Sequence, residues 1–184
     1  MLARLSLALT RYTRGWMVLV CLALTALFFM LILPAAQAEI AAASGGDAAL
    51  FDLQYFYTPQ QAYVLLGALG AAGRARYRAF ALGEDALFPL VYNAALCFSL
   101  AWLMRKGFAP SHALQRANLL PLGSLAFDWL ENAAVVIMLT RYPALPGLAA
   151  WLAAAFTMLK WTLVGACVLL LLIALAAAAK KRAG

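Results

Sequence analysis

The sequence predicts an all-α membrane protein: a four-helix transmembrane bundle with an amphipathic outer-surface helix between the first and second spans. Three observations carry this. The 184 residues are 67% hydrophobic and only 11% charged, with a mean hydropathy of +0.89, far more apolar than a soluble domain. Four apolar runs reach the roughly 20 residues that a ~30 Å hydrocarbon core requires. Basic residues cluster on alternate connections between those runs, which is a topology pattern. The net charge of +7 therefore speaks for orientation, and no nucleic-acid partner is expected. In 184 residues there is room for a single membrane domain, 1–184, whose first partner is the lipid bilayer.

The first run, 15–33, is preceded by Arg4, Arg11 and Arg14. With Ala36-Gln37-Ala38 behind it, it imitates a secretory signal and its A-x-A cleavage site. Its apolar stretch is longer than the about 7–15 residues of a signal core, so a retained span is the expectation. The connection 34–85 changes character midway. Residues 41–47 (AAASGGD) read as a flexible link. Thr58 before Pro59 then marks a helix start, with a capping hydroxyl and a proline suited to the first helical position. Tyr63, Leu66 and Leu69 or Gly70 follow at helical spacing, and Gly67, Gly70 and Gly73 recur every three residues. Such small positions allow close helix contact while weakening the helix itself. Arg74 and Arg78 share a face, near Tyr77. Two readings stand for this helix. Either it anchors on the outer surface with arginines toward lipid phosphates, or it is a lid whose Arg74 and Arg78 contact an anion or the polar interior.

The remaining runs are 86–104, 119–139 and about 148–178. Arg105, Lys106 and Arg116 lie between the second and third, and Lys180, Lys181 and Arg182 follow the fourth. With the three N-terminal arginines these make nine of the fourteen basic residues, all on one side if both termini are cytoplasmic. The other side holds Glu39, Asp47, Asp52, Glu84 and Asp85 against Arg74, Arg76, Arg78 and Arg141. Composition biased to Arg, Ala and Leu over Lys and Ile points to a bacterial source, hence to a multi-pass protein of the bacterial inner membrane.

The chemistry lies inside the runs. Asp128, Glu131 and Asn132 interrupt the third, and Lys160 the fourth. An intramembrane charge costs roughly 2.5–3.5 kcal/mol on insertion scales, so it is paired, enclosed or functional. At 1.5 Å per residue, Glu131 lies about 12 Å below Leu139 and Lys160 roughly 13 Å below Trp151. Asn93, with Tyr92, lies about 10 Å below Ala86. All reach one level, and a short turn at 140–147 makes a Glu131–Lys160 pair reasonable. Asp128, Glu131 and Asn132 share a helix face that continues through Ser124 and Pro121. On the second span Asp85, Pro89, Tyr92 or Asn93, and Cys97 form a similar stripe. Such a layer serves either as glue between helices or as a ligand, ion or proton site. Two carboxyls face one lysine, so one is neutral or a further cation joins them, Arg74 or Arg78 being candidates.

Other chemistry has no motif. The one histidine, His112, falls in a predicted cytoplasmic loop, so neither haem ligation nor a metal site is expected. Cys21, Cys97 and Cys167 lie in three different runs without a C-x-x-C pair and read as small apolar residues. Nucleotide and hydrolase fingerprints are lacking, and no cofactor is expected. The stretch from YTPQQAY through GAAGRARY and DALFPLVYN to FDWLEN and LKW, covering most of residues 51–161, resembles small bacterial four-span integral membrane proteins. No activity follows from that resemblance. Three readings result: a non-enzymatic accessory or assembly subunit of a membrane complex or homo-oligomer; a small-molecule, lipid, ion or proton-handling protein with its site at Asp128, Glu131 and Lys160; or an intramembrane enzyme on a lipid-like substrate. Small size and missing catalytic motifs favour the first.

Overall fold

Each apolar run becomes a helix, because in lipid a backbone must satisfy its own hydrogen bonds. A computed structural model describes residues 2–46, 50–145 and 147–183. It is 88% helix without strands among the described residues, and four helices are long and apolar enough to cross a membrane. Asp47, counted above with the outer charges, lies outside the described residues.

A short amphipathic helix, α1 (Leu2–Tyr12), comes first and was not anticipated. The first span is α2 (Gly15–Leu27), a π-helical turn at Phe28–Ile32, and α3 (Leu33–Ser44), in unbroken succession. The helix thus continues past residue 33, where the apolar run ends. Proline usually ends a helix by lacking an N–H and crowding the preceding turn. Here the π turn sends the Leu33 N–H back to the Phe28 carbonyl, a wider winding, and Pro34 falls in the first turn of α3. The Ala36-Gln37-Ala38 stretch is thus helical, with Ala36 and Ile40 buried. Gly45, at φ +77°, closes α3 in the left-handed cap that glycine adopts without strain. The expected flexible link therefore starts later than residue 41.

The stretch 50–83 is also more than one surface helix. Thr58 caps α4 (Pro59–Ala68) through a capping box with Gln61, as its sequence predicts. Gly70, at φ +61°, breaks the chain into α5 (Gly70–Leu82), which runs past Gly83 into the second span, α6 (Glu84–Gly107). Gly73 packs against Ser44 so tightly that a methyl group there would overlap the serine hydroxyl. Tyr77 is buried, and its oxygen accepts the Phe51 N–H at 2.8 Å.

A 3₁₀ stretch (Ala113–Leu119) leads into α7 (Leu120–Arg141), and α8 (Gly147–Ala183) completes the chain. Helix α7 packs along α8, α6 packs on both, and α2 rests on α6. Two apolar clusters bracket the molecule. One joins Ile40, Phe51, Tyr57, Leu66, Tyr77 and Met138; the other, Leu100, Met104, Cys167 and Ala174. The polar residues of α7 and α8 lie between them in sequence. At the second cluster's end, Arg105 donates to the Thr10 and Thr13 carbonyls at 2.7 and 3.1 Å. Asn118 Nδ2 donates to the Ser6 carbonyl at 3.1 Å, so α1, the end of α6 and the 3₁₀ stretch before α7 are tied together.

Candidate functional site

Helix α7 turns Ser124, Asp128, Glu131 and Asn132 inward, the face predicted from their spacing. Across from them α8 presents Thr157 and Lys160, both buried. The Lys160 ammonium lies 2.6 Å from Glu131 Oε2 and 3.6 Å from Asp128 Oδ1. Thr157 donates to Glu131 Oε1 at 2.7 Å. From α6, Tyr92 donates to Asp128 Oδ2 at 2.7 Å and stands 3.1 Å from the Ser124 hydroxyl. Since the tyrosine proton is committed to the carboxylate, serine is the donor in that second contact. The structure therefore brings Asp128, Glu131, Lys160 and Tyr92 together.

Asn93 and Asn132 serve the backbone. Pro89 sits inside α6 and cannot donate to the Asp85 carbonyl four residues earlier. Asn132 Nδ2 fills that place at 2.9 Å, while Asn93 Nδ2 donates to the Pro89 carbonyl at 2.8 Å. Arg74 and Arg78 do not reach the acids of this layer. Arg74 donates to the Leu66 carbonyl at 2.8 Å and stacks on Tyr142, its guanidinium 4.1 Å from the ring centre. Arg78 is exposed. Neither forms an ion pair with an acid among the described residues, Arg74 being engaged at the C-terminal end of α7 instead. Arg76 is the paired arginine, 2.7 Å from Glu39 and 2.8 Å from Glu84.

A cavity of about 580 Å³ opens beside this layer, between the first span, α6 and α8. That volume falls within the ~300–1,000 Å³ of small-molecule sites. Asp52, Asp85, Asp128 and Lys160 contribute its charged lining; Phe88, Leu96 and Val164 are among its apolar lining. Leu22, Phe29 and Trp161 also line it while remaining 47%, 68% and 43% exposed, so its rim belongs to the outer surface of the spans. Glu131, fully enclosed, is not part of the lining.

Two of these acids escaped the sequence reading as site residues. Asp85, by sequence an outer charge at the head of the α6 stripe, is 6% exposed in the cavity wall. Asp52 carried no signal at all, since it lies in a loop far along the chain from Lys160. Its place is fixed by Trp161, whose indole N–H donates to the Asp52 carbonyl at 3.1 Å. Burial pushes the Asp52 carboxyl above the ordinary carboxylate range, the Lys160 charge opposing. Its Oδ1 has no hydrogen-bond partner among the described residues. Burial likewise raises the Tyr57 phenol, assisted by the charges of Glu131 and Asp52.

His112 is exposed, its Nδ1 accepting the Leu114 N–H at 3.2 Å. Cys97 and Cys167 are buried free thiols, and Cys21 is a half-buried one. Among the described residues no three His, Cys, Asp or Glu side chains stand together as metal ligands. No family model, curated protein or solved structure matches this chain.

Proposed function

We propose that this protein holds an amphipathic small molecule within the bilayer, its polar end at the Asp85–Asp128–Lys160 wall and its apolar part along α6 and α8. The observation that carries the reading is the cavity itself, apolar over most of its lining and ending on charged side chains. A layer acting only as glue has no use for an adjoining space. Along α8 the lining runs from Lys160 to Leu171, about 16 Å, close to half of a ~30 Å hydrocarbon core. That is about the length an acyl chain occupies in one leaflet.

In this reading the four spans stand as a bundle in the bacterial inner membrane with both termini cytoplasmic. The ties from Arg105 to Thr10 and Thr13 support the orientation, for they join two basic clusters at one end. Labelling a Gly46→Cys variant with an impermeant thiol reagent in intact cells checks it; Gly46 is exposed with open space around it.

Leu22→Trp, placed on the exposed part of the lining, tests the cavity. Native mass spectrometry of gently extracted protein is expected to find one amphipathic molecule per chain, lost in the variant. Equal retention by both proteins overturns the reading. The first span favours a second reading, an accessory or assembly subunit of a membrane complex: of α2 only Val18 is buried. Copurification of a stoichiometric partner that is lost when Leu19, Val20 and Leu24 are changed to alanine supports that alternative.

A further inference from the structure

We infer that the occupant is cationic: a single-chain amphiphile with an ammonium headgroup, received by Asp85. This rests on the reading that the cavity holds an amphiphile, and names its chemical class.

Charge accounting comes first. Four carboxyls gather here, Asp52, Asp85, Asp128 and Glu131, against the single ammonium of Lys160. That ammonium is engaged by Glu131 at 2.6 Å, with Asp128 second at 3.6 Å. Asp128 is further satisfied by the Tyr92 hydroxyl. Asp85 stands apart. Asp85 lines the cavity at 6% exposure, and among the described residues its carboxyl oxygens meet no hydrogen-bond donor and no cation. Asn132 binds its backbone carbonyl, not its carboxyl. A buried carboxylate without a partner is costly, and an entering cation removes that cost.

The alternatives fit less well. An anionic headgroup would face three carboxyls in the wall and a lysine already paired. A neutral headgroup leaves Asp85 to take up a proton. A bound metal ion would need converging ligands, and no such trio is formed among the described residues. An alkylammonium requires one carboxylate at the polar end and an apolar channel behind it. Phe88 and Trp161 add aromatic lining near the acids, a surface favourable to cations.

The test uses the full chain in a neutral detergent, with dodecylamine, dodecanol and dodecanoate as probes and native mass spectrometry as the readout. Dodecylamine is expected to bind one per chain, at least about ten-fold more tightly than the other two. Asp85→Asn should reduce it to the level of dodecanol while leaving dodecanol unchanged, and Asp85→Glu should keep the amine preference. If Asp85→Asn does not fold, the Asp85→Glu protein and the three-probe comparison in the natural chain decide. Equal binding of all three probes, or a preference for dodecanoate, each abolished by Leu22→Trp, overturns the cationic class while the cavity reading stands. Absence of saturable binding by any probe, or binding indifferent to Leu22→Trp, overturns the cavity reading and this inference with it.

Discussion

Asn132 on α7 donates its side-chain N–H to the Asp85 carbonyl of α6 at 2.9 Å, the carbonyl that Pro89 leaves without a helical partner. A backbone defect and a polar side chain on a neighbouring span thus complete each other. In a membrane interior the unpaired carbonyl has no water to turn to. The bond also fixes the register of α6 against α7, and with it the reach of Tyr92 to Asp128.

That relationship predicts a coupled pair of substitutions. Asn132→Leu should cost roughly 0.5–2 kcal/mol of stability, in line with interhelical polar contacts in membranes. In a Pro89→Ala background the alanine N–H restores the helical bond to Asp85, so the same change should cost less than half as much. Thermal unfolding of the four purified proteins measures this double-mutant cycle. Equal costs in both backgrounds would sink the compensation.

Glu131 and Lys160 make the second case. Removing one member of a buried pair leaves an uncompensated charge, at about 3–5 kcal/mol. The two single changes should nevertheless differ. After Glu131→Gln the ammonium still has Asp128, 3.6 Å away, whereas Lys160→Met strips the cation from both acids. Lys160→Met should therefore be the more damaging, and Glu131→Gln with Lys160→Met should recover part of the loss. Folded yield in detergent decides, and a harmless Lys160→Met would refute the pairing as a structural element.

How much of this was readable beforehand follows from geometry. Asp128, Glu131 and Asn132 lie three and four residues apart, so any helix places them on one face. Lys160 is at the same depth because rise per residue is fixed. The turn between α7 and α8 is short, which makes them neighbours. Those regularities hold for any helix, whatever surrounds it. Asp52 obeys none of them: its position depends on how α3, α4 and α5 pack, and no spacing encodes that. The helix of the first run outlasts its apolar stretch for a related reason. A proline rule describes α-helical winding, and the π turn at Phe28–Ile32 changes the winding before the proline arrives.

Asp52 gives a pH dependence with a definite sign. Burial raises its carboxyl in the folded protein relative to the unfolded chain. The neutral form is thus favoured by folding, and the associated stability is present at pH below the ordinary carboxylate range. It is lost as pH rises through the raised value. The melting temperature of Asp52→Asn relative to the natural protein should therefore increase as pH rises from that range. A difference that stays constant with pH, or falls, contradicts the burial of this carboxyl.

Asp128 and Glu131 share one ammonium but not one role. Asp128 lines the cavity, whereas Glu131 is fully enclosed between α7 and α8. Asp128→Asn keeps an oxygen to accept the Tyr92 hydroxyl and removes only the charge, and Lys160 retains its closer partner at 2.6 Å. This variant should fold with near-normal yield, yet bind dodecylamine about three- to ten-fold more weakly, a smaller loss than Asp85→Asn causes. Glu131→Gln should show the reverse pattern, lower yield with unchanged binding in the fraction that folds. Tyr92→Phe separates the hydrogen bond from the charge. It leaves Asp128 ionisable but less well held, so it should reduce stability more than amine preference. If Asp128→Asn binds dodecylamine as the natural protein does while Glu131→Gln collapses, Asp128 has no part in the site and the layer serves to join α7 to α8.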